Sequence, residues 1–321
     1  YPVLRSLAES FGSKPDGKTN DKIGSFLILS SFHGNIITSA MFMTAMAANP
    51  LAAKLANDVG IAVTWGGWAT AAIVPGIVAL AVIPFVLFKI APPEIKETPN
   101  APELARKKLA EMGSIKVQEW IMIAAFIMLL VLWVGGSTLG IHATVAAFVG
   151  LGFLLISGVL TWDDVKNEHG AWDTLVWFAA LVMMATQLNN LGLVAWFSQN
   201  VQGAVGGMAW TTAFPFLIVI YIYVHYFFAS ATAQVAAMYA AFLSVGVAVG
   251  VPPMLMALSL GFSSNIYASM THYGHGPSPL FFGAGYVDIK KWWTVGFIMS
   301  IVQIIIWMGV GGAWWKVLGI W

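Results

Sequence analysis

The sequence predicts an all-α, polytopic membrane protein. Three observations carry this. Mean hydropathy is +0.80. Only 29 of the 321 residues are charged, too few polar groups to cover a water-facing surface, so most of that surface must face lipid. Apolar runs of spanning length recur along the chain, each near the ~20 residues needed to cross ~30 Å of hydrocarbon. These runs are continuous in Ala, Leu, Ile, Val and Met. A membrane β-barrel would show alternating strands instead, so the spans are helices. A net charge of +1 provides no basic field for nucleic acid. With no cysteine in the chain, disulfides, thiolate metal sites and cysteine nucleophiles are excluded.

Taken in order, the runs fall at about 25–48, 66–90, 119–136, 138–160, 174–197, 210–229, 231–249, 253–287 and 292–315. The start, Tyr1-Pro2-Val3, reads as the later part of a longer protein. The polar stretch 91–118 separates the second run from the third. Within it, Asn100-Ala101-Pro102-Glu103 has the cap, early proline and following glutamate of a helix start, and Gly113 can end that helix. The stretch reads as an amphipathic surface helix joining two halves, or equally as a solvated linker. Basic residues set orientation. Residues 1–24, the 91–118 stretch with Arg106, Lys107 and Lys108, Lys166, and Lys290-Lys291 are all expected on the cytoplasmic side. The crossings between Lys166 and Lys290 must then be even in number. Trp65, Trp68, Trp120, Trp162, Trp172, Trp292, Trp293, Trp314 and Trp315 flank spans and read as interface anchors.

Residues 174–287 contain no Asp, Glu, Lys or Arg. That leaves no carboxylate there for a proton relay and no cationic side chain for an ion pair. Neutral polar residues cluster there instead, and also in the first apolar run. His33-Gly34-Asn35-Ile36-Ile37-Thr38-Ser39 leads to Thr44 and Asn49-Pro50, and Ser264-Asn265-Ile266-Tyr267-Ala268-Ser269 leads to Thr271, Gly274, Gly276 and Pro277. Both contain Asn-Ile-x-x-Ser, and both end in helix-breaking residues inside an apolar run. Paired interruptions of this kind point to a transporter site, with helix-packing polar residues as the alternative. A third cluster, His225 to Gln234, joins two apolar segments without a polar loop, as a tight turn or a small-residue helix interface would. A fourth, Gln187-Leu188-Asn189-Asn190-Leu191-Gly192, reads as a re-entrant tip or a surface turn. No pair of histidines has an acidic or thiolate companion, so hydrogen bonding or pH sensing suits them better than metal ligation.

The sequence resembles the divalent anion:sodium symporter family over essentially all its length, and within it the 2-oxoglutarate/malate translocator branch. The carrying residues are Pro92-Pro93-Glu94-Ile95-Lys96, Ala101-Pro102-Glu103-Leu104-Ala105, Glu119-Trp120-Ile121-Met122 and Trp162-Asp163-Asp164. They continue with Ala171 to Phe178, His225-Tyr226-Phe227-Phe228-Ala229-Ser230, Thr271-His272-Tyr273 and Gly283 to Asp288. The resemblance implies a helical transporter with inverted repeats, re-entrant hairpins and broken helices. On that reading 1–90 ends the first repeat, 91–118 is a cytoplasmic linker and 119–321 is the second repeat. The family's first Ser-Asn-Thr motif would precede Tyr1, and its second lands on Ser230-Ala231-Thr232 without its Asn. That loss favours an exchanger over sodium coupling.

The implied function is alternating-access exchange of dicarboxylates such as 2-oxoglutarate, malate or succinate. The implied substrate ligands are Ser230, Thr232, Asn35, Thr38, Ser39, Asn265, Thr271 and Pro277, and the cation-site candidates are Asn49, Gly34 and Ser269. No organic cofactor is implied, and sodium is the one ion the family would bring. The expected setting is a homodimer in lipid, in an inner membrane, with a bacterial plasma membrane ahead of a plastid inner envelope. A sodium-coupled symporter is the first rival. An intramembrane enzyme is the second, and the charge-free stretch argues against it.

Overall fold

The computed structural model describes residues 2–99, 101–193, 196 and 207–321. Among them every regular element is helical. Helices α1 (Pro2–Ser10), α2 (Gly24–Met41), α3 (Ala48–Asp58) and α4 (Trp65–Ile90) come first. Next are α5 (Ala101–Met112), α6 (Val117–Leu139), α7 (Ala143–Ile156), α8 (Trp162–Asn167) and α9 (His169–Asn190). Then α10 (Trp210–Tyr223) runs through a 3₁₀ turn, Val224–Phe227. α11 (Ala231–Ala248), α12 (Pro253–Ile266), α13 (Pro277–Phe282) and α14 (Ile289–Val317) complete the chain.

Five segments among the described residues are long and apolar enough to span: Trp65–Ile90, Val117–Gly136, Trp210–Phe227, Ala231–Ala248 and Ile289–Val317. Nine apolar runs shrink to five for physical reasons. Run 25–48 breaks after Met41, where Phe42 is extended. Run 253–287 breaks after Ile266. Run 138–160 loses its first residues to a turn at Gly140 (φ +67°), a left-handed conformation that favours glycine. Part of run 174–197 lies outside the described residues.

Contacts divide the chain into two compact units. One comprises 1–63, 67–94 and 178–321, and the other 64–66 and 95–177. They cut across the expected segments 1–90, 91–118 and 119–321.

In the larger unit α12 is the central helix, with every residue from Leu255 to Ile266 buried. An all-round buried helix needs small residues where neighbours press in. At Gly261 a Cβ would lie 2.6 Å from the Trp68 ring. The Trp68 indole donates to the Ala40 carbonyl at 2.9 Å, tying α4 to α2. This corrects the expectation for several tryptophans. Trp65, Trp68, Trp292 and Trp315 are buried packing residues rather than interface anchors. The Trp315 indole donates to the Ala71 carbonyl at 2.9 Å and the Trp314 indole to the Thr70 carbonyl at 2.8 Å. The hydropathy pattern hides this, because an indole suits both an interface and a close-packed core with a carbonyl in reach. Trp120, Trp162, Trp172 and Trp293 are exposed, as anchors should be.

In the smaller unit α6 and α7 form a hairpin about Gly140. The Trp133 indole donates to the Ala143 carbonyl at 3.0 Å, and Gly150 admits the Leu129 side chain. Thr161 and Asp164 cap α8 reciprocally, and the Thr161 hydroxyl and amide hold the Asp164 carboxyl below its ordinary range. α5 ends at Gly113 (φ +76°), as its sequence suggests. Leu109 and Met112 on it are exposed. Its cap candidate, Asn100, lies outside the described residues.

Candidate functional site

The two Asn-Ile-x-x-Ser clusters sit at two broken helices, and the breaks meet. Asn49, on the first turn of α3, donates through Nδ2 to the carbonyls of Ser39 (2.8 Å) and Phe42 (3.1 Å). Those are C-terminal carbonyls of α2, which α2 itself cannot satisfy. The Asn49 side-chain oxygen accepts from Asn265 Nδ2 at 2.7 Å, a bond between residues 216 apart in sequence. Asn265 also donates to the Gly261 carbonyl at 3.1 Å. Its own oxygen is buried with no hydrogen-bond partner among the described residues.

The two breaks are closed differently. Asn49 caps the first from the restarting segment. At the second, α14 presses on the backbone: a Cβ at Gly296 would lie 2.6 Å from the Ser269 carbonyl oxygen and 2.8 Å from that of Met270. α12 passes through a 3₁₀ turn, Tyr267–Ser269, and the chain restarts as α13 with Pro277 in its first turn. Proline suits that position because its missing N–H would be unsatisfied there anyway.

The third cluster forms a tight turn. Phe228 and Ser230 are extended, and three residues join the 3₁₀ end of α10 to α11. The Ser230 hydroxyl accepts from the Ala233 amide at 3.3 Å, capping α11. Thr232 is buried. The Ala231 carbonyl accepts from the Tyr267 hydroxyl at 2.9 Å, so the turn is held against the second break. A π segment, Val235–Tyr239, follows within α11, a distortion found often at functional sites.

The remaining candidates are placed as follows. Thr38 is exposed, and its hydroxyl bonds back to the Gly34 and Asn35 carbonyls at 3.0 and 3.1 Å. Ser39 is buried and joins the cluster through its carbonyl. Asn35 is half-buried, and its side-chain oxygen has no partner among the described residues. Beside it, a Cβ on Gly34 would meet open space. The Ser269 hydroxyl is taken by the Ile266 carbonyl at 2.7 Å. Thr271 is buried and its hydroxyl has no partner among the described residues. Among these candidates the side chains of Asn49 and Asn265 alone bond directly to each other. The fourth cluster, Gln187 to Gly192, is the end of α9 and a turn with Gly192 at φ +84°.

Spanning helices, two helix breaks and no buried Asp, Glu, Lys or Arg among the described residues suit a membrane-embedded protein, and comparison with known families adds to this. The family model described as the sodium:sulfate symporter transmembrane region matches residues 1–321. The chain belongs to this family, the divalent anion:sodium symporters. A "putative malate transporter" of Bacillus subtilis is 59% identical over 322 residues, covering 100% of this chain and 67% of that protein. A "dicarboxylate transporter 1, chloroplastic" of Arabidopsis thaliana is 50% identical over 323 residues, covering 100% of this chain and 58% of that protein. An "inner membrane protein" of Escherichia coli is 37% identical over 320 residues, covering 99% of this chain and 66% of that protein. The chain thus spans about three-fifths to two-thirds of the length of these relatives.

This symporter-family chain also contains a buried polar network that its sequence did not announce as a unit. His225 Nδ1 lies 2.7 Å from the Gln234 side-chain oxygen, and Gln234 Nε2 donates to the Tyr221 carbonyl at 2.7 Å. The Ser264 hydroxyl donates to the Leu260 carbonyl at 2.7 Å, so the Tyr221 hydroxyl is the donor in its 2.9 Å bond to Ser264. The residue types were visible in the sequence. Their pairing was not, because it depends on how α10, α11 and α12 pack. A separate cleft of about 440 Å³ in the smaller unit, lined by Leu151, Leu160, Asp164, Glu168, Trp172 and Leu175, contains none of the predicted site residues.

Proposed function

We infer that this chain forms the substrate-binding part of a dicarboxylate exchanger working by alternating access in a bacterial plasma membrane. The observation that supports it most is the Asn49–Asn265 contact between two broken helices, set in a core without fixed charges. Broken helices offer free backbone N–H groups to an anion. Neutral hydroxyl and amide donors hold a carboxylate without trapping it, as turnover requires. Ser230, Thr232 and Thr271 are the hydroxyl ligands in this reading. Asn35, Thr38, Ser39, Asn265 and Pro277 line the broken-helix ends. The names of the Bacillus and Arabidopsis relatives agree with a dicarboxylate substrate. Segments 1–90 and 119–321 would then be inverted repeats, and the working unit a homodimer.

Exchange rather than symport is favoured by Ala231, which stands where an amide would help hold sodium. The unpartnered Asn265 oxygen favours the second reading, sodium-coupled symport, since a buried acceptor suits a cation; Gly34, Asn49 and Ser269 are the other cation candidates. Counterflow into liposomes containing the full-length protein separates the two. Uptake of malate, succinate or 2-oxoglutarate should need internal dicarboxylate and run equally in sodium and choline buffers. A strict sodium requirement would establish symport, and no dicarboxylate uptake in either buffer would overturn both readings.

A further inference from the structure

The imidazole of His225 is fully buried, and its surroundings fix which nitrogen carries a proton. Gln234 Nε2 is committed to the Tyr221 carbonyl, so Gln234 presents its oxygen to His225 Nδ1. Nδ1 must therefore be the donor, and in the neutral ring Nε2 is a bare lone pair. That Nε2 is buried with no hydrogen-bond partner among the described residues. It abuts Gly274, where an added Cβ would collide with it and also lie 2.7 Å from the Thr271 hydroxyl oxygen. The Thr271 hydroxyl is likewise unpartnered and buried. Two unsatisfied polar atoms thus converge on one glycine, an arrangement that leaves both desolvated at a cost.

We propose that His225 is a proton-binding residue of the carrier, taking a proton on Nε2 when a dicarboxylate enters. The proton comes from hydronium or buffer acid, whose bond to that proton breaks as the Nε2–H bond forms, and the imidazolium supplies the positive charge that residues 174–287 otherwise lack. On protonation Nδ1–H keeps the Gln234 oxygen as its acceptor, and Nε2–H lies against the Gly274 backbone. The Tyr267 ring stacks on His225 at 4.0 Å with 15° between planes, a face that favours a cation. Its hydroxyl is bonded to the Ala231 carbonyl, so the ring that supports the charge is tied to the Ser230–Thr232 turn. The other titratable groups around His225 are His275, whose Nδ1 bonds the Ser278 hydroxyl at 2.6 Å, and Tyr221 behind Gln234. Tyr226 and Tyr273 lie beyond, joined through the Tyr226 carbonyl, and His33 is further off, separated from His275 by the Phe32 ring. This proposal rests on the dicarboxylate reading above.

The test is calorimetric titration of the full-length protein in detergent with malate, in two buffers of different ionisation enthalpy, between pH 6.5 and 8.5. The parent should take up a proton with each malate, and its affinity should fall about tenfold per pH unit throughout that range. His225→Asn should bind malate more weakly, with a heat independent of buffer and a flat pH profile. His275→Asn should keep the proton uptake. A parent that binds malate with buffer-independent heat would overturn the proton role and leave the transport reading standing. Loss of uptake in His275→Asn but not in His225→Asn would assign it to the wrong imidazole. A parent that binds no malate would overturn both readings.

Discussion

Single side chains set the terms of binding here, because no Asp, Glu, Lys or Arg is buried among the described residues. Thr232 is buried at the start of α11, two residues from the cap hydroxyl of Ser230. A hydroxyl donating to a charged ligand is worth roughly 1.5–3 kcal/mol, or about ten- to a hundredfold in affinity. Thr232→Ala in the full-length protein should raise the half-saturating malate concentration by that factor in proteoliposomes. Thr211→Ala, on an exposed position of α10, should leave it unchanged. If both transport like the parent, the turn serves packing alone. Asn49 makes a different prediction. Its amide satisfies two helix-end carbonyls and one amide donor. Asn49→Ala leaves these groups buried and unpaired, at about 1–3 kcal/mol for each that water cannot reach. The melting midpoint in detergent should fall clearly, and an unchanged midpoint would mean water replaces the side chain.

At the scale of elements, close approach of helices decides what each position tolerates. Gly296 on α14 faces the carbonyl oxygens of Ser269 and Met270, rigid backbone that cannot rotate away. Gly296→Ala should therefore push α14 off the second break and cost about 1–3 kcal/mol of stability. Gly152 on α7 meets nothing within 4 Å. Gly152→Ala should be neutral, or stabilising by up to about 1 kcal/mol through helix propensity. Thermal melts of the two variants beside the parent check this, and equal effects would contradict the close contact. The breaks themselves were legible, since Asn49-Pro50 and Gly274 to Pro277 interrupt apolar runs. That α2 extends six residues past Asn35 while α12 stops one residue past Asn265 was not legible. The matching Asn-Ile-x-x-Ser strings predict like behaviour, but Asn49 on the adjacent segment closes the first break and α14 closes the second.

For the whole molecule, orientation follows from the distribution of basic residues. Arg106 and Lys107, exposed on α5, should face the cytoplasm. In a cysteine-free full-length background, Arg106→Cys and Lys107→Cys should resist impermeant thiol reagents in intact cells. Val59→Cys, exposed beyond α3 on the expected outer side, should react. Labelling of Arg106→Cys as strong as at Val59→Cys would reverse the orientation. The sequence by itself determined the solvent and the helical class, which depend on composition and on local runs that every residue reports without knowing its neighbours in space, while the family came from the resemblance of its motifs. It also marked Asn49, Asn265, Ser230 and Thr271 as candidates, since polar side chains stand out in an apolar run. Only the tertiary structure decided that Asn49 reaches Asn265 and that His225 is clamped by Gln234 and stacked on Tyr267. It alone also moved Trp68, Trp292 and Trp315 from the interface to the core. A hydrogen bond between residues far apart in sequence depends on a few tenths of an ångström in helix packing, and glycines such as Gly261, Gly274 and Gly296 set that spacing only once the helices are brought together.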